Sequence, residues 1–129
     1  MTSVEPELWV RDPAAAIDFY VRAFHAAELH RVEFDGEIVA QLGIGDARLW
    51  VSNTGPRRFD PREIGGTTSR TLLVTTDPVG VVAFAVAAGA ELTSDVTDEH
   101  GWRLGRIVDP FGHEWEIGHP VGRWPPDDA

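Results

Sequence analysis

Five histidines (His25, His30, His100, His113 and His119), twenty-one Asp and Glu and eleven Arg are the side chains of this 129-residue chain that could do chemistry. There is no Cys and no Lys, so disulfides, thiolate nucleophiles, thiolate metal knuckles, Schiff bases and the phosphate-loop lysine are all excluded. Imidazoles and carboxylates remain to hold a metal or move a proton. The sequence has no Ser-His-Asp order, no Gly-rich phosphate cradle and no His-Glu-x-x-His run. Each histidine reads as a surface or turn residue rather than a ligand: His25 closes a helix, His30 lies on a strand, His100 and His113 are in turns, and His119 ends a strand. His100 alone sits in a turn that could overhang a cleft. The net charge of −10 repels the phosphate backbone of nucleic acid and attracts a cationic ligand. Five Trp are a further resource, because flat rings beside carboxylates suit a planar, partly cationic molecule.

The elements that must position these groups repeat. Val4–Val10 reads as a strand, and Asp12-Pro13 as an N-cap followed by proline at the first helical position. Ile17, Tyr20, Val21 and Phe24 then form an apolar stripe at helical spacing. Leu29–Phe34, Glu37–Ile44 and Ala47–Asn53 read as strands separated by Asp35-Gly36 and Gly45-Asp46. After a loop over 54–66 the order returns. Arg70–Thr76 is a strand, Asp77-Pro78 caps a helix with Val81, Val82, Phe84 and Ala85 on its apolar side, and Gly89 ends it. Glu91–Val96, Trp102–Val108 and Glu114–His119 follow as strands. A shift of about 65 residues lays Asp12-Pro13 on Asp77-Pro78, Asp35-Gly36 on His100-Gly101, and Trp50 on Trp115.

The expected fold is therefore α+β: two tandem βαβββ modules forming a curved mixed sheet with a concave cup, and helices on the outside. The chain reads as a single domain over 1–129, with modules at 4–53 and 67–119, a linker loop at 54–66 and a tail at 120–129. No apolar run is long enough to span a membrane, and Met1–Pro6 lacks the regions of a signal peptide, so the expected compartment is the cytoplasm.

Alternation along the strands assigns the cup. Leu8 and Val10 pack under the helix, which turns Glu5, Glu7 and Trp9 to the cup. Trp115 and Ile117 pack inward in the last strand, which turns Glu114 and Glu116 to the cup. Carried through the duplication, Leu49 and Val51 face the cup and Trp50 joins Trp115 in the core. The direction of Trp102 stays open, because Gly105 beyond it could mark a bulge.

Asp12-Pro13 leading to Phe19-Tyr20, the helix end Ala88-Gly89-Ala90, and above all Gly105-Arg106 through Asp109-Pro110-Phe111-Gly112-His113-Glu114-Trp115-Glu116 resemble the glyoxalase/bleomycin-resistance/extradiol-dioxygenase (vicinal oxygen chelate) superfamily over Val4–His119. The resemblance implies a homodimer whose two chains complete each cleft. It also implies, for the superfamily's enzymes, a divalent metal on about four ligands. Those places fall near Glu5, one of Leu49–Val51, Arg70 or Thr71, and Glu116. Only Glu5 and Glu116 are ligand types, and an inward Arg70 would repel a cation and pair with a glutamate.

The expected function is accordingly metal-free and non-catalytic. A hydrophobic or aromatic, antibiotic-like compound would be sequestered against Glu5, Glu7, Trp9, Leu49, Val51, Trp102, Arg106 and Glu116, with no cofactor, nucleic acid or membrane as partner. The alternative is a divalent-metal-dependent lyase, isomerase or dioxygenase with Glu5 and Glu116 among its ligands.

Overall fold

The computed structural model describes residues 1–127. Its elements run β1 (Glu7–Val10), α1 (Pro13–Phe24), β2 (Ala27–Phe34), β3 (Glu37–Ile44), β4 (Ala47–Asn53), α2 (Pro61–Ile64), β5 (Thr71–Val74), α3 (Pro78–Ala87), β6 (Glu91–Glu99), β7 (Trp102–Val108) and β8 (Glu114–Pro120). They form two four-stranded mixed sheets, ordered β1-β4-β3-β2 and β5-β8-β7-β6, each a βαβββ module. In each, the first strand is parallel to the last and the other pairs are antiparallel.

Local chemistry explains the starts and turns. Asp12 accepts the amide N–H of Ala15 at 3.1 Å, and Asp77 accepts that of Gly80 at 3.1 Å, so each helix begins on a side-chain cap with proline at its first position. The two-residue turns Asp35-Gly36 and His100-Gly101 take positive φ at both positions (49° and 77°, 51° and 81°), the conformation that matches strand twist in a tight hairpin. The loop expected over 54–66 contains the short helix α2, begun by a capping box of Asp60 and Glu63. Val21 and Phe84, expected on buried helical stripes, are exposed; α1 instead buries Ile17, Tyr20 and Phe24, and α3 buries Val82 and Ala85. Part of the tail expected over 120–129 joins β8, and Trp124 packs edge-to-face on Trp102 at 5.4 Å; positions 128 and 129 lie outside the described residues.

One continuous core joins the modules. Tyr20 and Phe24 of α1 lie against Trp115 of β8, with ring centroids 5.6 and 4.7 Å apart, and Phe111 meets Phe19 at 6.2 Å. At its centre the buried Asp109 carboxylate accepts four bonds. These come from the Tyr20 hydroxyl at 2.5 Å, Trp115 Nε1 at 3.0 Å, and the amides of Phe111 (2.9 Å) and His113 (3.0 Å). Burial, and then the negative charge of Asp109, push the Tyr20 phenol well above its usual range, so it stays a donor.

Candidate functional site

Each sheet turns one face to its helix and leaves the other open. On β1, Leu8 and Val10 are buried beneath α1, while Glu7 and Trp9 lie on the open face, as alternation requires. The expectation for β4 is reversed: Leu49 and Val51 are in the core, and Trp50 lies on the open face.

Register explains the reversal. Gln41 of β3 pairs with Trp50, and Arg106 of β7 pairs with Glu116. Gln41 and Arg106 are 65 positions apart, but Trp50 and Glu116 are 66 apart. The β3–β4 turn has two residues (45–46) where the β7–β8 turn has five (109–113), and the longer turn moves β8 by one position. A one-residue slip exchanges the faces of a strand. Trp50 is thus the structural counterpart of Glu116, and Leu49 and Val51 do not reach the cup side.

The open faces carry two networks on matching positions. In the first module the Glu5 carboxylate accepts from Gln41 Nε2 at 3.0 Å and Trp50 Nε1 at 2.9 Å. These two bonds, Gln41's first, hold its pKa below the ordinary carboxylate value. Ser52 donates to Glu7 at 2.7 Å. In the second module Glu116 accepts from Arg106 Nε at 3.0 Å and lies 3.2 Å from Arg70 Nη2. Arg106 also bonds Glu99, and that bond lowers the Glu99 pKa and raises that of Arg106. Arg70 therefore points to the open face and pairs with a glutamate, which settles its direction. Trp102 shares the open face with Arg106 by strand parity, but Trp124 packs on it.

Charge follows from these pairs. Arg70 and Arg106 pair directly with Glu116, and Arg106 with Glu99, whereas Glu5 and Glu7 accept bonds from neutral donors and Arg48 acts on Glu5 only at longer range. Among the described residues Glu7 has no ion-pair partner, and it shares the open face of the first module with Glu5, Trp9 and Trp50. Gln41 and Ser52, not singled out from the sequence, and Trp50, assigned from the sequence to the core, complete this site. The Leu-Trp-Val alternation of β4, read like that of β1, would have placed Trp50 correctly without the duplication.

A model of the Glyoxalase/Bleomycin resistance protein/Dioxygenase superfamily matches residues 3–117. The chain belongs to this superfamily. An uncharacterized protein of Mycobacterium tuberculosis is 38% identical, with 92% of this chain and 75% of that protein covered. Among solved structures, TioX from Micromonospora sp. ML1 is 30% identical at TM-score 0.72, covering 92% of this chain and 99% of that one. A gene product of Arabidopsis thaliana is 28% identical at TM-score 0.75, with 92% and 99% covered. The fosfomycin resistance protein FosX of Listeria monocytogenes shares the fold at 15% identity and TM-score 0.72, with 95% and 94% covered.

The superfamily's metal does not fit the residues present. Its four places carry Glu5, Trp50, Arg70 and Glu116; an indole N–H and a guanidinium donate and cannot ligate. Both carboxylates already accept from N–H groups, and Glu116 has two guanidinium partners. Among the described residues no group of three or more His, Asp or Glu could hold a metal ion. His113 Nε2 lies 2.9 Å from the Trp9 carbonyl, and His119 Nδ1 lies 2.9 Å from the Pro120 carbonyl, so both rings serve backbone oxygens.

Proposed function

We propose that the protein binds a planar apolar or aromatic molecule, preferentially a cationic one, on the open face of the first sheet and releases it unchanged. The supporting observation is the state of the site: both candidate ligand carboxylates are tied to N–H donors, while Trp9 and Trp50 share a face with Glu5 and Glu7, neither of which is in a direct ion pair. Stacking on an indole with nearby negative charge favours such a ligand, each contact contributing about 0.5–2 kcal/mol. Superfamily membership, with a fosfomycin resistance protein of the same fold, makes antibiotic sequestration the natural setting.

The binding unit in this reading is a homodimer. One chain leaves Val32 and Phe34 of β2 exposed, and a second chain covering them would turn two open faces into a closed cleft.

Isothermal titration with proflavine and with bleomycin tests the reading. Saturable binding is expected, with the compound recovered unchanged by mass spectrometry and affinity reduced at least tenfold in Trp50→Ala. Glu7→Gln should weaken proflavine more than a neutral planar compound. Absence of heat with both compounds, or their chemical conversion, would overturn the proposal.

A further inference from the structure

The edge strands β1 and β5 flank the seam between the modules, and the two ends of that seam are related by the duplication. One end is bridged. There the five-residue turn 109–113 inserts the Phe111 ring beside Phe19 and Tyr20, and His113 reaches the Trp9 carbonyl. A carbonyl only accepts, so His113 Nε2 carries the proton in that bond. Arg62 of α2 closes over this end with a bond to the Pro110 carbonyl at 3.1 Å.

At the other end the counterpart turn is only Gly45-Asp46, and a cavity of about 790 Å3 lies in its place. Its apolar wall includes Ile44, Leu49, Leu73 and Trp115, and its rim Glu5 and Arg48. Val74, 65 positions after Trp9, also lines it. The Thr75 amide bonds the Gly118 carbonyl, so in this parallel pair Leu73 and Thr75 turn their backbone groups to β8, and Leu72 and Val74 turn theirs to the seam. The Val74 carbonyl thus stands where the Trp9 carbonyl stands at the other end, without a histidine to meet it.

We propose that this cavity is a second binding site, running from the seam between the modules to Glu5 and Gln41 at the edge of the first open face, for a small heteroaromatic molecule bearing a ring N–H. The ring would occupy the apolar wall as Phe111 does at the His113 end, and the N–H would donate to the Val74 carbonyl as His113 does to Trp9. A volume of about 790 Å3 is in the range of drug-sized ligand sites. The proposal does not depend on the function proposed for the first sheet.

Benzimidazole and 1-methylbenzimidazole, titrated into 15N-labelled protein, separate the contribution of the N–H. Benzimidazole is expected to shift the amide resonances of Leu72 to Thr75 and the indole resonance of Trp115 in a saturable way. Methylation of the ring nitrogen should weaken binding about tenfold, the loss of one hydrogen bond to a carbonyl with no other donor. Ala47→Trp, at an exposed position in the lining, should weaken benzimidazole at least tenfold and leave proflavine binding unchanged. No saturable shift at these resonances, equal affinity for the two compounds, or shifts confined to Trp50 and Glu116 would each overturn the assignment; the wild-type comparison decides it even if the variant fails to fold.

Discussion

Asp109→Ala is expected to be among the most destabilising single substitutions in the chain. The carboxylate is 3% exposed and has no cationic partner; two side-chain donors and two backbone donors satisfy it instead. Its removal leaves the Tyr20 hydroxyl and Trp115 Nε1 without an acceptor in the core, and frees two amides of the 109–113 turn. An unsatisfied buried donor costs about 1–3 kcal/mol, so the two side-chain donors and the loosened turn together cost about 3–6 kcal/mol. That is a large part of the roughly 5–15 kcal/mol by which such a domain is stable. Asp109→Asn should cost less, about 2–3 kcal/mol. Its carbonyl can serve one pair of donors, and the Tyr20 hydroxyl can rotate to accept from the new amide, but Trp115 Nε1 cannot. Urea unfolding followed by tryptophan fluorescence and far-ultraviolet circular dichroism, at fixed protein concentration, measures all of these. In the Asp109→Ala, Tyr20→Phe double variant the loss should fall short of the sum by at least about 1 kcal/mol, because the orphaned hydroxyl is gone. A cost below about 1 kcal/mol for Asp109→Ala, with Trp115 emission unchanged, would refute the reasoning.

Glu5 makes a signed prediction with pH. Its pKa is lowered on folding, so its contribution is full above the ordinary carboxylate value and is lost as pH falls through the lowered folded value. Trp50 emission should therefore titrate below the usual carboxylate range, and Glu5→Gln should remove that step. Gly118→Ala should disrupt the β7–β8 ladder, since a Cβ there would stand 1.8 Å from the Arg103 carbonyl oxygen; loss of the cooperative unfolding transition at room temperature is the expected readout. Mn2+ or Zn2+ added in excess should leave the melting temperature of the wild-type protein unchanged, and a stoichiometric, chelator-reversible rise would show that the donor set has been misjudged.

Much of the fold was legible because its signals are local. Asp-Pro caps, Asp-Gly and His-Gly turns and two-residue alternation act within a few positions, and β3, β4 and β7 have the bounds their patterns predict. The same locality placed Glu7 and Trp9 on the open face of β1. Leu49, Val51 and Trp50 were misplaced because the duplication was extended through a turn that differs in length between the modules. The directions of Arg70 and Trp102 depended on partners far along the chain: Glu116 for one, Trp124 for the other.

The sequence by itself determined the two βαβββ modules, the superfamily and the set of groups available for chemistry, since each of these follows from residue types and short spacings. Tertiary structure alone decided which carboxylates are in direct ion pairs. Strand register brings Arg70 and Arg106 onto Glu116, whereas the hydrogen bonds to Glu5 and Glu7 come from neutral donors. It also decided that one end of the seam is bridged by His113, leaving about 310 Å3, while the other keeps a cavity of about 790 Å3. Both outcomes trace to the lengths of the β3–β4 and β7–β8 turns, since one extra position in a strand moves every side chain to the opposite face and a longer turn reaches across a gap that a short one leaves open.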